Sequence, residues 1–264
     1  MSELITSSDN NKIKRVRNLQ HRRRNRESEK AFIAEGVRLV EEGVKTQWPI
    51  EFILFDETLS ERGLKLIESL KTQKTITIAK IPSNLMAEVS DTETPQGILA
   101  VLKLQPLALP LNPTFLVIAD QIRDPGNMGT LLRTAEAAGV ESVLLTPGTV
   151  DAFSPKVVRA GMGAHFRLPI QHLPWQELKD YIKKVPLYLA AAEGGEPLWS
   201  ADLKAPCALL IGGEAFGASP IGEKMATHRI TIPMPGRAES LNAAIAAGIL
   251  ITEVLRQRYP FHRN

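Results

Sequence analysis

The first side chains that could do chemistry lie in a polar stretch, 120–133, directly after a predicted buried strand. An amide, Asn127, and a guanidinium, Arg133, stand on either side of Gly129 in this stretch. In open α/β sheets the carboxyl end of a strand is the edge where ligands bind. Taken alone, Arg133 is better explained by a surface ion pair with Glu136 than by a ligand. The stretch is therefore a candidate site only in combination with others.

A second stretch, 207–219, is a predicted strand that runs into Gly212, Gly213 and Glu214. Glycine lacks a Cβ, so the backbone here could lie close to a flat ligand, and Glu214 adds a carboxylate. A tight structural turn explains the same pattern, and the residues by themselves favour the turn.

A third stretch, 231–242, is a loop with two prolines and a glycine that leads into an apolar helix predicted over residues 243–256. Ser240 is the predicted N-cap of this helix, because its hydroxyl can accept a hydrogen bond from the first turn. The loop is where chemistry is expected. The helix is predicted to bury the positions that recur at helical spacing, which are Leu241, Ile245, Ile249 and Thr252.

A parallel sheet is needed to bring these stretches together, and the C-terminal half of the chain has the matching pattern. Short apolar runs alternate there with helical patterns, which predicts parallel strands joined by helical crossovers. The G-x-G-x-x-G spacing of dinucleotide-binding folds and the phosphate-binding G-K-S/T are both missing. A nucleotide-binding enzyme such as a dehydrogenase is therefore the weaker alternative.

The N-terminal half predicts a second, smaller α/β domain. Strands and helices alternate from residue 31 to residue 103, with predicted strands at 50–55 and 75–79 among them. Three prolines within 105–113 exclude a helix and predict an extended linker. We therefore predict domains over 1–104 and 114–264.

The N-terminal segment 11–30 predicts one amphipathic helix that docks lightly on the domain. Its apolar stripe is Ile13, Val16 and Leu19. Basic side chains surround the stripe so densely that phosphate is the expected counter-charge. A further pair on a predicted helix that begins at Ser154 either binds phosphate or is solvated. The candidate nucleic-acid contacts of both segments are Lys12, Lys14, Arg15, Arg22, Arg23, Arg24, Lys156 and Arg159.

Composition sets the outer limits of the interpretation. The chain has 264 residues, a net charge of +3 and 44% hydrophobic residues, which is typical of a globular soluble protein. Cys207 is the single cysteine, which excludes an intrachain disulfide and a multi-cysteine zinc site. No apolar run is long enough to predict a membrane span. We expect a cytoplasmic protein without a metal.

Together, the three stretches resemble the three motifs of the SpoU-type members of the SPOUT superfamily, which are S-adenosylmethionine-dependent RNA ribose 2′-O-methyltransferases. The resemblance covers about residues 114–258, and residues 30–103 look like the family's substrate-binding domain. It implies a C-terminal α/β SPOUT domain with a mostly parallel sheet and a deep trefoil knot. It also implies a small α/β RNA-binding domain before it, and a homodimer.

The resemblance also implies roles for single residues. The implied catalytic residues are Asn127, Arg133, Glu214, Ser240 and Asn242, and the implied contacts to S-adenosylmethionine are Gly212, Gly213, Ile232, Met234 and Leu241. A guanidinium is a poor proton acceptor, so Arg133 is expected to clamp a phosphate and stabilise the developing alkoxide. The implied substrate is structured RNA, with large-subunit ribosomal RNA favoured over transfer RNA. A catalytically silent RNA-binding protein of the same architecture is the alternative.

Overall fold

The chain divides into two compact units, each described here by itself. The first unit comprises Met1–Gln105 and Asp151–Phe166, and the second comprises Pro106–Val150 and Arg167–Asn264. The computed structural model describes residues 3–73, 76–214 and 217–259. The segment Asp151–Phe166 belongs to the first unit although it follows the start of the second in sequence.

Helices and strands alternate along most of the chain. The strands are β1 (Glu3–Leu4), β2 (Ala31–Glu35), β3 (Ile50–Phe55), β4 (Thr77–Lys80), β5 (Ile98–Lys103), β6 (Phe115–Asp120), β7 (Ser142–Leu145), β8 (Ile170–His172), β9 (Leu187–Ala190), β10 (Glu196–Pro197), β11 (Cys207–Gly212) and β12 (His228–Thr231). The helices are α1 (Asn11–His21), α2 (Arg23–Glu29), α3 (Val37–Lys45), α4 (Glu61–Gln73), α5 (Ser83–Val89), α6 (Pro125–Ala137), α7 (Pro155–Ala160), α8 (Trp175–Ile182), α9 (Pro220–Met225) and α10 (Ala243–Arg258).

The first unit is built on a mixed sheet in the order β1-β4-β3-β5-β2. Strand β5 runs antiparallel to both of its neighbours, β2 and β3, while β4 pairs in parallel with β1 and β3. The predicted strand at 75–79 corresponds to β4, and its first residue, Thr75, lies outside the described residues.

Aromatic packing explains why the segment Asp151–Phe166 belongs to the first unit. The ring centroid of Phe153 lies 5.2 Å from that of Phe32, and the centroid of Phe166 lies 5.4 Å from that of Trp48. Buried aromatic pairs in offset or edge geometry stabilise a core beyond the area they bury.

The predicted single helix over 11–30 is wrong, because the chain breaks at Arg22 into α1 and α2. Arg22 has extended backbone angles, φ −127° and ψ 117°. The break lets Arg26, which is 4% exposed, turn inward and donate to the backbone oxygens of Leu19 and Gln20 at the end of α1. The same guanidinium pairs with Asp151 at 2.7 Å. A buried arginine thus satisfies carbonyls that a helix end leaves free.

The apolar stripe of α1 is part of the core and is not lightly docked. Ile13, Val16 and Leu19 are each 0% exposed. They belong to the same buried cluster as Leu54 and Leu99 of the central strands. The helix is therefore held by the hydrophobic effect, independently of any nucleic acid.

The second unit is built on a seven-stranded sheet in the order β10-β12-β9-β11-β6-β7-β8. All neighbouring strands pair in parallel, as the sequence predicts. The central strands β6 and β11 are buried almost throughout, which is typical of parallel sheets covered on both faces. Parallel pairing brings the carboxyl ends of β6, β11 and β12 to one edge, so the three polar stretches start from the same edge.

Helix α10 lies in a different rotational phase from the predicted one. The buried positions are Ala243, Ala244, Ala247, Leu250, Ile251, Glu253 and Val254. Ile245 is 55% exposed, and Thr252 is exposed as well. Helix α10 packs against α6 and β11, where small alanine side chains allow close approach. The helix is apolar on nearly every side, so periodicity alone could not choose its buried face.

Asn242 is the N-cap of α10, and the prediction of Ser240 is wrong. The side-chain oxygen of Asn242 accepts hydrogen bonds from the backbone nitrogens of Ala244 at 2.9 Å and Ile245 at 3.2 Å. Ser240 lies two residues earlier, in the exposed loop. Serine and asparagine are both good N-cap residues, so the sequence is compatible with a helix that begins after either one. The conformation of the loop determines that the helix begins after Asn242.

Candidate active site

A chain of hydrogen bonds joins one side chain from each of the three polar stretches. The Nδ2 of Asn242 donates to the Oδ1 of Asn127 at 2.8 Å, and the Nδ2 of Asn127 donates to the Oε1 of Glu214 at 2.8 Å. The three residues are far apart in sequence and follow three different strands. The fold therefore brings together three of the five predicted catalytic residues, although their roles stay predictions.

Local structure fixes the direction of this chain. The Oδ1 of Asn242 is occupied by the first turn of α10, so its Nδ2 is the group left to donate to Asn127. Asn127 itself lies in the first turn of α6, where Asp124 caps its backbone nitrogen at 2.8 Å. Two capped helix starts thus hold the two amides face to face.

The carboxylate of Glu214 is held by donors on both of its oxygens. Burial by itself raises the pKa of this group, but the hydrogen bonds from Asn127 and from backbone amides outweigh burial and lower the pKa below its ordinary value. One of these amides is that of Arg123, which donates to Oε2 at 3.3 Å. Glu214 is therefore an ionised acceptor at neutral pH and a weak base.

A mostly apolar cavity of about 260 Å³ lies beside this polar chain. Its lining includes all five predicted cofactor contacts and two predicted catalytic residues, which are Gly212, Gly213, Ile232, Met234, Leu241, Glu214 and Ser240. Small-molecule sites of about 300–1,000 Å³ usually combine apolar walls with a few polar groups. The cavity has this character, and its volume of about 260 Å³ lies just below that range.

Sequence reasoning missed part of the cavity wall. The residues not predicted are Ala190, Ala191, Ala192, Ile211, Gly217, Ile230, Ala243 and Ala246. Ala190 is the last residue of β9 and Ala191 and Ala192 follow it, and the carboxyl end of this strand meets the same edge of the sheet. A run of small residues at the end of a strand was the signal that could have identified them.

The two glycines after β11 are required by the chain's own backbone. A Cβ at Gly212 would lie 2.3 Å from the backbone of Gly217, and a Cβ at Gly213 would lie 2.3 Å from the backbone oxygen of Gln121. Gly213 and Gly217 also exchange two backbone hydrogen bonds, of 2.9 and 3.1 Å. The tight turn is thus sufficient to explain both glycines. Ala215 and Phe216 of this stretch lie outside the described residues.

Arg133 lies on α6 with an exposed side chain. The alternative ion pair with Glu136 does not form, because Glu136 pairs with Arg167 at 3.8 Å. Within the described ranges the side chain of Arg133 makes no hydrogen bond or ion pair, so its guanidinium is available to a ligand. It does not line the cavity.

Most of the predicted nucleic-acid contacts already have acidic partners in the first unit. Ion pairs join Lys12 to Glu3, Lys14 to Asp9, Arg15 to Glu29 and Glu51, Arg23 to Glu27, and Arg159 to Asp91. Phosphate is therefore not needed to balance the whole basic segment. Arg22, Arg24 and Lys156 are exposed and have no such partner among the residues with described side chains.

The described residues contain neither a candidate metal site nor a candidate membrane span. No group of three or more His, Cys, Asp or Glu side chains there could hold a metal ion. No helix in the described ranges has the length and hydrophobicity that crossing a bilayer requires.

Comparison with protein families matches both halves of the chain. Residues 114–252 match the SpoU rRNA Methylase family, and residues 10–100 match the MRM3-like substrate binding domain. The first match covers all seven strands of the second sheet, β6 to β12, and the site described above.

Individual relatives give the same picture over nearly the whole chain. The chain is 34% identical to the 23S rRNA (guanosine(2553)-2′-O)-methyltransferase RlmP of Bacillus subtilis, over 94% of this chain and 97% of the relative. It is 30% identical to the human mitochondrial rRNA methyltransferase 3, over 88% of this chain and 69% of the relative.

Solved structures agree with the sequence comparison. The SpoU methyltransferase AviRb from Streptomyces viridochromogenes, in complex with the cofactor AdoMet, superposes with a TM-score of 0.85 at 28% identity, over 96% of this chain and 100% of that one. The motifs, the parallel sheet and these matches lead to one assignment: the chain belongs to the SpoU rRNA Methylase family.

Proposed function

We propose that the protein transfers a methyl group from S-adenosylmethionine to a ribose 2′-hydroxyl of large-subunit ribosomal RNA. The observation that carries the proposal is the hydrogen-bonded chain of Asn242, Asn127 and Glu214 beside an apolar cavity. The names of the relatives, which include a 23S rRNA 2′-O-methyltransferase, support the substrate class. A ribosomal substrate also supports a cytoplasmic location.

The cavity suits S-adenosylmethionine in its chemistry. Ile232, Met234 and Leu241 would pack on the adenosyl group, and the backbone at Gly212 and Gly213 would supply polar contacts. When bound, the cofactor supplies an electrophilic methyl group on a positively charged sulfur.

The side chains of the polar cluster then position the substrate. Methyl transfer to a hydroxyl needs the oxygen held in line and partly deprotonated. Glu214 is engaged by Asn127 and by the amide of Arg123, so its role is to orient Asn127. Asn127 and Ser240 orient the ribose, and Arg133 stabilises the oxygen as negative charge develops.

The experiment that tests the proposal has two parts. Calorimetry should detect binding of S-adenosylmethionine and no binding of nicotinamide or adenine nucleotides. Mapping of 2′-O-methyl groups in total RNA from a deletion strain should then show the loss of one site in large-subunit ribosomal RNA. A protein that binds RNA but not S-adenosylmethionine would contradict the proposal and favour the catalytically silent alternative.

We extend the proposal to a homodimer with the trefoil knot that the family resemblance implies. In support of the dimer, the outward side of α10 carries the exposed Ile245 and Thr252 and the half-buried Ile249. A second subunit would remove this apolar surface from water.

Sedimentation equilibrium tests the dimer. Ile245→Glu should convert a dimer into a monomer, because a charge would be buried in the interface. Ile221→Glu on α9, where the isoleucine is 48% exposed, is the matched control and should leave the mass unchanged. Equal masses for both variants and the wild type would count against this surface.

A further inference from the structure

Most arginines of the second unit are used by the fold itself. Arg167 pairs with Glu136, Arg229 with Glu223 at 3.5 Å, and Arg256 with Glu253 at 2.7 Å. The guanidinium of Arg258 donates to backbone oxygens and lies 5.1 Å above the ring of Phe115. Each of these side chains therefore has a structural role.

Three of the described arginines of this unit have no such structural role. Arg123, Arg133 and Arg237 are exposed, and none of their guanidinium groups makes a hydrogen bond or ion pair within the part of the chain that the structure describes. Two acids of these segments are engaged elsewhere: Glu136 pairs with Arg167, and Glu214 binds Asn127. All three unpaired arginines lie on the segments that build the candidate site.

Arg123 is attached directly to the polar cluster. Its backbone nitrogen donates to the Oε2 of Glu214 at 3.3 Å, on the oxygen opposite the one that binds Asn127. Its side chain leaves this anchored point and extends into solvent. The side chain of the next residue, Asp124, caps α6, and among the described residues it forms no ion pair with Arg123.

Arg237 lies in the loop that forms the other side of the cluster. In this loop Met234, Ser240 and Leu241 line the cavity, and Asn242 at its end donates to Asn127. Residues 235–240 are exposed. The loop thus carries a free guanidinium next to a wall of the cavity.

We infer that Arg123 and Arg237 bind the RNA phosphates adjacent to the target ribose, in addition to Arg133. This inference rests on the proposed function. A guanidinium presents a planar fork that matches two phosphate oxygens, and it is less strongly hydrated than the ammonium of lysine. The second unit pairs its other described arginines but leaves the guanidinium groups of these three free on the segments that build the candidate site, as expected of a surface that binds a polyanion.

RNA binding by the full-length protein tests the inference. Arg123→Gln and Arg237→Gln remove the charge at similar length, and Lys183→Gln removes one charge from the exposed end of α8, away from the site. Affinity for a large-subunit ribosomal RNA transcript is measured at several salt concentrations, and affinity for S-adenosylmethionine is measured by calorimetry.

Each arginine variant should weaken RNA binding roughly tenfold and reduce the slope of log K against log salt by about one. Arg123→Lys and Arg237→Lys should recover part of the affinity, because the charge remains while the fork is lost. Affinity for S-adenosylmethionine should stay unchanged. If a glutamine variant binds RNA as tightly as the Lys183→Gln control, the inference is refuted for that arginine. The proposed function still stands in that case, provided that the wild-type protein methylates the transcript. A wild-type protein that transfers no methyl group overturns both.

Discussion

Asn242 performs two tasks with two different atoms. Its side-chain oxygen caps α10, and its side-chain nitrogen donates to Asn127. The same residue therefore contributes to stability and to the site. A substitution that keeps the oxygen and removes the nitrogen can separate the two contributions.

Asn242→Asp should retain stability and lose activity. An aspartate caps a helix as well as asparagine does, but its carboxylate would repel the Oδ1 of Asn127. We expect a melting temperature within a few degrees of wild type and a fall in kcat of about tenfold or more. Asn242→Ala should lose about 1 kcal/mol of stability as well. Full activity of the aspartate variant would show that the hydrogen bond to Asn127 is dispensable.

The activity should be sensitive to a substitution of Arg133 that keeps the positive charge. Arg133→Lys loses the planar fork, so we expect kcat to fall roughly 100-fold with the affinity for S-adenosylmethionine near normal. Single-turnover kinetics and calorimetry measure the two quantities separately. Wild-type turnover of this variant would contradict a clamp that depends on two parallel hydrogen bonds.

At the scale of elements, the segment that follows β7 adds a buried histidine to the first unit. His165 is 1% exposed, and its Nε2 lies 2.7 Å from the backbone oxygen of Ala152. Its Nδ1 has no hydrogen-bond partner within the described residues. Burial lowers the pKa of His165 from 6.5 to about 4, although the contact with Ala152 and the charge of Asp151 oppose the shift.

Because His165 is buried in its neutral form, we expect the protein to lose stability in mild acid. The folded protein holds His165 neutral while the unfolded chain binds a proton below about pH 6.5, so the stabilisation is complete above that pH. This contribution to the free energy of unfolding should be lost as the pH falls toward 4, and the loss amounts to about 3 kcal/mol in total. Urea unfolding from pH 7 to pH 4 measures the effect. His165→Gln, which keeps a donor for Ala152, should flatten the pH dependence, and an unchanged curve would exclude His165 as its source.

At the scale of the whole molecule, the two units are expected to have different functions. The first matches a substrate binding domain, and the second carries the cavity and the polar cluster. RNA affinity of the first unit should come from basic side chains that the protein does not already neutralise.

Arg22 and Arg24 are such side chains, whereas Lys12 and Lys14 are paired. Replacing Arg22 and Arg24 by alanine should weaken RNA binding and reduce the salt slope by about two. Replacing Lys12 and Lys14 should have a smaller effect, because each already shares its charge with an acid. Filter binding across salt concentrations compares the two double variants, and a larger effect of the lysine pair would reverse this assignment.

The sequence by itself determined the local structure and the identity of the motifs. Strand β3 was predicted over its observed range, because a short run of β-branched and aromatic residues between polar turns has few alternatives. The alternation of strands and helices likewise predicted the parallel sheet of the second unit. These signals lie within a few residues of one another along the chain.

Only the tertiary structure decided which faces and atoms meet. The buried side of α10, the inward turn of Arg26 and the placement of 151–166 all depend on contacts between segments distant in sequence. The hydrogen bond between Asn127 and Asn242 joins residues 115 positions apart. Periodicity and capping describe what a segment can do alone, whereas burial and pairing depend on what the rest of the chain places beside it. For this reason the three motifs were recognisable from the sequence, while the cap, the helix phase and the free arginines were not.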